Sequence, residues 1–158
     1  MNIVTQDSQL AENFYAVSEH LANTDPNDFD SQVTPYLVTC NALDRTLVCR
    51  FNSKPFFGNP HGYMHGGIIA AMVDTACGTT IHAFCGGQTH IVTISLQISY
   101  IRPVLVEKPL FVRVHVQQIG GRVAYTSAEA WQEEGKIVST CSGVYHVIHG
   151  VGPDISQK

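Results

Sequence analysis

His65-Gly66-Gly67-Ile68-Ile69-Ala70-Ala71-Met72-Val73-Asp74-Thr75-Ala76-Cys77-Gly78 is the stretch on which the fold turns. Ile68, Met72 and Ala76 recur every four residues, which is helical spacing. From Met64 to Phe84 the only carboxylate or long cationic side chain is Asp74. A helix apolar nearly all round is expected to be enclosed by other elements. Around Asp74 the residues are small (Gly67, Ala70, Ala71, Gly78), which lets another backbone come close. Gly86-Gly87 closes the segment, as glycine after a helix commonly does.

Working outward, Ser8 to Ala22 places Leu10, Phe14, Val17 and Leu21 at helical spacing, and the polar run Asn23 to Asp28 breaks it. Tyr36 to Val38 and Leu47 to Phe51 read as short strands around a polar turn at Asn41 to Arg45, followed by a Pro/Gly/Asn-rich loop from Lys54 to Gly62. Beyond the long helix, Val92, Ile94, Leu96, Ile98 and Tyr100 alternate with polar residues until Arg102-Pro103. Val112 to Gln117, Val123 to Gln132 and Ile137 to Ile148 follow as strands in meander order, separated by Gly120-Gly121 and Glu134-Gly135. One buried helix with an antiparallel sheet around it is an α+β arrangement. No GxGxxG or P-loop follows a strand, which excludes a dinucleotide-binding fold. The chain reads as one domain over 1–158, with a core at about 35–148, an extra N-terminal helix at 8–22 and a loose tail at 150–158.

Charged residues make up 14% of the chain, against roughly 25% in an ordinary globular domain. So few charges leave apolar surface to be covered, and a homo-oligomer is expected. A net charge of −4 and the lack of a basic run exclude a nucleic-acid partner and a membrane surface. No apolar run approaches the ~20 residues that span a bilayer, and Met1 to Leu10 lacks a signal-peptide apolar region. The five cysteines (Cys40, Cys49, Cys77, Cys85, Cys141) form no CxxC pair and sit mostly among apolar neighbours. They read as buried, reduced thiols, which fits a cytoplasmic location.

The chemistry concentrates in Asn59-Pro60-His61-Gly62-Tyr63-Met64-His65-Gly66-Gly67. Two glycines where a helix begins weaken the helix but let a ligand approach bare backbone. The first N–H groups of a helix have no intrahelical partner and lie at the positive end of its dipole. They are suited to polarise a carbonyl and to stabilise a developing oxyanion. Asp74 follows Gly66 by eight residues, which is ~12 Å along one helix. If both act on one substrate, Asp74 must come from a second copy, with neighbouring helices antiparallel. His61 and His65 have metal-ligand spacing, but Pro60 and Gly62 put His61 in a loop and no third ligand is near, so no metal is expected. Cys77 has no evident base, which argues against a Cys-His nucleophile.

The run N-P-H-G-Y-M-H-G-G-I-I-A-A-M-V-D-T-A resembles the signature of the hotdog-fold thioesterases of the phenylacetate-pathway (PaaI-like) type. T-I-S-L-Q-I-S-Y-I-R-P-V and G-R-V-A-Y-T-S-A-E-A resemble strands that follow it in that family. The likeness covers about Phe51 to Val147. It implies a hotdog fold and hydrolysis of an acyl- or aryl-acyl-coenzyme A to free acid and CoA, without a cofactor. It implies that the Gly66 amide polarises the thioester carbonyl, and that Asn59, with His65 nearby, orients the carbonyl or the water. Asp74 of the partner subunit is then base or nucleophile, and Thr93 stands where a hydroxyl positions the water. Gly67, Arg102, Gly121 and Arg122 fall where the substrate and its coenzyme are held. The resemblance also implies a dimer or a homotetramer built from two dimers. Two other readings are a non-catalytic acyl-CoA-binding hotdog protein and a hotdog dehydratase. The N-x5-H-G-G-x6-D spacing fits hydrolysis better than either. The acyl group is not fixed by the sequence.

Overall fold

The computed structural model describes residues 3–150. Its helices are α1 (Asp7–Ala22), α2 (Phe29–Gln32) and α3 (Gly66–Phe84). Its strands are β1 (Pro35–Asn41), β2 (Thr46–Phe51), β3 (Thr89–Tyr100), β4 (Leu110–Ile119), β5 (Val123–Trp131) and β6 (Ile137–His149). The expected α+β arrangement is present: one antiparallel sheet, in the order β1-β2-β4-β5-β6-β3, packed around α3. The tail expected to be loose lies outside the described residues from 151 onward.

Alternation builds the sheet's inner face. Leu110, Val112, Val114 and Val116 of β4 point inward and are buried, while Arg113 and His115 point out. The inward positions of β5 and β6 are mostly small: Ala124, Thr126, Ala128, Ala130, Ser139, Cys141 and Gly143. Small residues there leave room for α3, whose Met72, Val73, Ala76, Cys77, Ile81 and Phe84 fill the centre of the core. α1 covers the C-terminal half of α3 through Leu10 and Phe14, and Asn13 donates a 2.9 Å hydrogen bond to the Ala83 carbonyl.

Two boundaries and one alternation depart from the expected ones for physical reasons. α3 starts at Gly66 rather than Met64, because the backbone before it is tied elsewhere: the Met64 N–H bonds the Val104 carbonyl (2.8 Å) and the His65 N–H bonds Phe57 (2.9 Å). α1 starts at Asp7, whose carboxylate accepts the Ala42 N–H at 2.6 Å. β3 does not keep one alternation throughout. Its register against β6 slips between Thr93 and Ser95. A bulge of this kind turns the following side chains to the opposite face. Thr93 therefore faces α3, while Leu96 and Ile98 pack on the core, and Val92 and Ile94 are left half exposed.

By length and composition alone α3 is apolar enough to cross a membrane, contrary to the expectation of no spanning run. Here that apolarity serves the interior of the sheet, since 61% of its most apolar window is buried within the protein. Met72 is fully buried at the centre of the helix. Met72→Ala is expected to cost about 2–5 kcal/mol, read as a lower denaturant midpoint at unchanged m-value.

Candidate active site

Asp74 lies on the face of α3 that meets β3 and β6, and it is half-buried. The Thr93 hydroxyl stands 3.0 Å from each of its carboxylate oxygens, and the Tyr145 hydroxyl donates to Oδ1 at 3.0 Å. Thr93 and Tyr145 are opposite one another in the β3–β6 register, so a single cross-strand pair presents both donors. Tyr145 is 1% exposed. Burial first, and then the neighbouring Cys77 and Asp74, raise its phenol well above the usual range. It is therefore a donor at any physiological pH. Thr93, by contrast, is exposed, so the carboxylate looks out of the single chain on its β3 side.

Cys77, one turn beyond Asp74, has the Tyr145 hydroxyl beside it, a neighbour that the sequence did not reveal. Burial nevertheless pushes its thiol up to about 11, which keeps it protonated and unreactive at neutral pH. Burial pushes the Cys141 thiol up to about 12. His82 donates through Nδ1 to the Thr89 carbonyl at 2.7 Å, and burial lowers its pKa, so it is a neutral, satisfied core histidine. Cys49, Cys77 and Cys141 are buried as expected, and Cys40 and Cys85 are half-buried. Asp74 opens onto a cavity of about 380 Å3 lined by Thr75, Gly78, Thr93 and Tyr145 and by Val17 and Leu21 of α1.

Gly66 is the first residue of α3, so its N–H has no partner within the helix. The Tyr100 hydroxyl donates to the Gly66 carbonyl at 2.7 Å, with its ring against the glycine. A Cβ on Gly66 would stand 3.2 Å from Tyr100 Cζ, so the bare backbone is needed for this approach. Asn59 shapes the loop before the helix: its Oδ1 accepts the N–H groups of His61 (2.9 Å) and Tyr63 (3.2 Å). With the oxygen so engaged, the Asn59 amide offers its NH2 group, a donor, to a ligand. Asn59, Gly66, Tyr100 and Arg102 line one cavity of about 390 Å3. The His65 side chain is exposed at the helix start, and Gly67 beside it is exposed as well.

The cavities of Asp74 and Gly66 have no lining residue in common. Within one chain the two halves of the expected site are separate, at the middle and the end of one helix. The residues expected to hold the coenzyme are separated too. Arg102 sits at the start of β6, where its guanidinium donates to the Ile137 carbonyl. Gly121 and Arg122 form the β4–β5 turn at the other end of β6, where their carbonyls accept from His149 (2.9 Å) and the Val147 N–H (2.8 Å). Ten residues of strand put about 33 Å between those points.

Residues 61–139 match the family model described as the thioesterase superfamily. The chain belongs to the thioesterase superfamily. The matched segment of this superfamily member contains Gly66, Asp74, Thr93, Arg102 and Arg122, and leaves Asn59 and Tyr145 outside it. Acyl-coenzyme A thioesterase THEM4 of Xenopus laevis is 29% identical over 113 residues, covering 72% of this chain and 50% of that protein. Acyl-coenzyme A thioesterase THEM5 of Homo sapiens is 27% identical over 117 residues, covering 73% of this chain and 46% of that one. The chain thus spans about half the length of the curated relatives it matches. Among solved structures, the E. coli PaaI protein from the phenylacetic acid degradation operon superposes with a TM-score of 0.73 at 18% identity, covering 90% of this chain and 98% of that one. Thioesterase superfamily member 2 from Mus musculus superposes at 0.70 with 20% identity, covering 87% and 96%. At these identities the likeness establishes the fold, which is the hotdog fold that the sequence resemblance implied.

Two residues of the superfamily member's candidate site were not singled out from sequence. Tyr145 was one residue within the last expected strand. A tyrosine at an inward position needs a buried partner for its hydroxyl, and that was the available signal. Tyr100 was read only as a residue of the alternating strand, and its hydrogen bond to Gly66 became visible only with the loop in place.

Proposed function

We propose that this protein hydrolyses acyl-coenzyme A thioesters at a site shared between two copies of the chain, and that it is of the phenylacetate-pathway type. The observation that carries the reading is the division of the machinery. An N–H-bearing helix end stripped of side chains and a carboxylate held by two hydroxyls lie on the same helix but open onto different cavities. Two antiparallel copies of α3 bring the Gly66 end of one to the Asp74 of the other. The β3 strand supports such pairing. It is an edge strand, with Val92, Ile94 and Tyr100 each at least half exposed. An open apolar edge of this length is a template for another strand. The active unit is accordingly a dimer, or a pair of dimers.

In that arrangement the Gly66 N–H and the Asn59 NH2 bind the thioester carbonyl oxygen. Asp74 of the partner subunit takes a proton from water, and the hydroxide attacks the carbonyl carbon. The developing oxyanion rests on the Gly66 amide. Collapse breaks the C–S bond, and the departing CoA sulfur takes the proton back from Asp74. The products are the free acid and CoA, so no cofactor is consumed. Thr93 fixes the carboxylate, while Arg102 of one copy and Gly121-Arg122 of another lie on the outer surface where the coenzyme is held.

A panel of aryl, short, medium and long acyl-CoAs, followed by release of free thiol, tests the reading. At least one substrate is expected to reach a kcat/KM of about 10^4 M⁻¹ s⁻¹ or more. No release from any class would set the hydrolase reading aside.

A further inference from the structure

We propose that Tyr145 is the positioning residue for Asp74, seated by the missing side chain at Gly143, so that Oδ1 is held and Oδ2 is the oxygen that meets the water. The proposal rests on the hydrolase reading above. Of the two donors on the carboxylate, Thr93 does not distinguish the oxygens, since its hydroxyl is 3.0 Å from both. Tyr145 does: of the two carboxylate oxygens its hydroxyl bonds only Oδ1, at 3.0 Å, and with the Cys77 thiol also in reach its proton goes to the charged acceptor. A hydroxyl has one proton to give. With Oδ1 taken by the phenol and Thr93 bridging, Oδ2 keeps the larger share of its acceptor capacity, on the side where Thr93 is exposed.

Gly143 explains how a bulky ring reaches the carboxylate. Gly143 and Tyr145 are two residues apart on β6, on the same inward face. A Cβ on Gly143 would lie 2.5 Å from Tyr145 Cε2, 2.9 Å from its hydroxyl oxygen and 2.9 Å from Thr126 Oγ1. Real side chains do not come so close, so the phenol lies back along the strand through space that only glycine leaves open. Thr126, paired with Gly143 on β5, stands against the same open space, its Oγ1 2.9 Å from where that Cβ would be. The ring is fully buried, which removes its freedom to swing away. The hydrogen bond thus comes from a rigid donor, while the surface hydroxyl of Thr93 completes the grip from a more open side.

The test compares Tyr145→Phe, Gly143→Ala and the double variant, on any acyl-CoA that the wild type hydrolyses, with Asp74→Asn as control. Tyr145→Phe removes one oxygen atom and keeps the ring. Its kcat is expected to fall about 10- to 100-fold, as for loss of a hydrogen bond to a charged group, with KM within about twofold. Gly143→Ala is expected to lower kcat in the same way by displacing the ring. The double variant should lose no more kcat than the worse single variant, because both changes break one contact. Thermal melting of each variant reports the folded fraction, and kcat is taken per folded protein. Two independent losses that multiply would assign Tyr145 a packing role and overturn the proposal. So would Tyr145→Phe at wild-type kcat while Asp74→Asn is inactive. A wild type that turns over no thioester overturns the hydrolase reading instead, and this proposal with it.

Discussion

Asp74→Asn is expected to lower kcat by about three orders of magnitude, with KM nearly unchanged. The substitution keeps the shape of the side chain and removes its charge. In the proposed mechanism it takes away the group that accepts the proton of water. It also disturbs the hydrogen bonds: Thr93 reaches both carboxylate oxygens and Tyr145 reaches Oδ1, and all of these contacts need acceptors. A carboxamide offers one acceptor oxygen and an NH2 group with two protons to donate, so one hydroxyl is left facing that NH2 group. The expected cost in stability is small by comparison, about 1–3 kcal/mol. Kinetics and melting should therefore separate the two effects. Turnover within tenfold of wild type would remove Asp74 from the chemical step.

The second large effect is a recovery. Gly66→Val puts a branched side chain where even a Cβ stands 3.2 Å from the Tyr100 ring, and it closes the approach to the Gly66 amide. Alone, this variant is expected to be as inactive as Asp74→Asn. Mixed with Asp74→Asn at equal amounts, by co-expression or joint refolding, half of the dimers are mixed. Each mixed dimer has one site built from an intact Gly66 and an intact Asp74. Activity should return to about a quarter of the wild-type value. A site built within one chain would regain nothing on mixing. The experiment therefore reads the division of the site directly, without a structure of the assembly.

The parts of this fold set by local pattern were legible in the sequence. The period of Ile68, Met72 and Ala76 gave α3, and the glycine-marked turns gave the β4-β5-β6 meander. What depends on distant contacts was not legible. The helix start moved because Phe57 and Val104 engage the preceding backbone. The bulge in β3 interrupts the cleanest alternation in the chain, and no glycine or proline marks it. That bulge decides that Thr93 faces Asp74. Of the site, Asp74 and Gly66 stood out because each is costly where it is, a charge in an apolar helix and a glycine at a helix start. Tyr145 did not, since a tyrosine in a strand is ordinary and its value lies in a partner 71 residues away. Arg102 and Arg122 were grouped by resemblance, whereas the chain places them at opposite ends of β6.

The placement of β3 has a consequence for how the molecule comes into being. β3 follows α3 directly in the chain, yet among the described strands its one partner is β6, which comes after all the others. Thr93 pairs with Tyr145 across the whole of β4 and β5. Until β6 has left the ribosome, β3 has none of the described strands to pair with, and Leu96 and Ile98 lack part of the core they pack on. Closing so long a loop is entropically costly and slow compared with forming local hairpins. The late closing step joins Thr93 and Tyr145 to Asp74, so the sheet and the carboxylate's hydrogen bonds are completed in the same event. A nascent chain stopped short of β6 carries Asp74 and Gly66 but not the setting that makes the carboxylate useful.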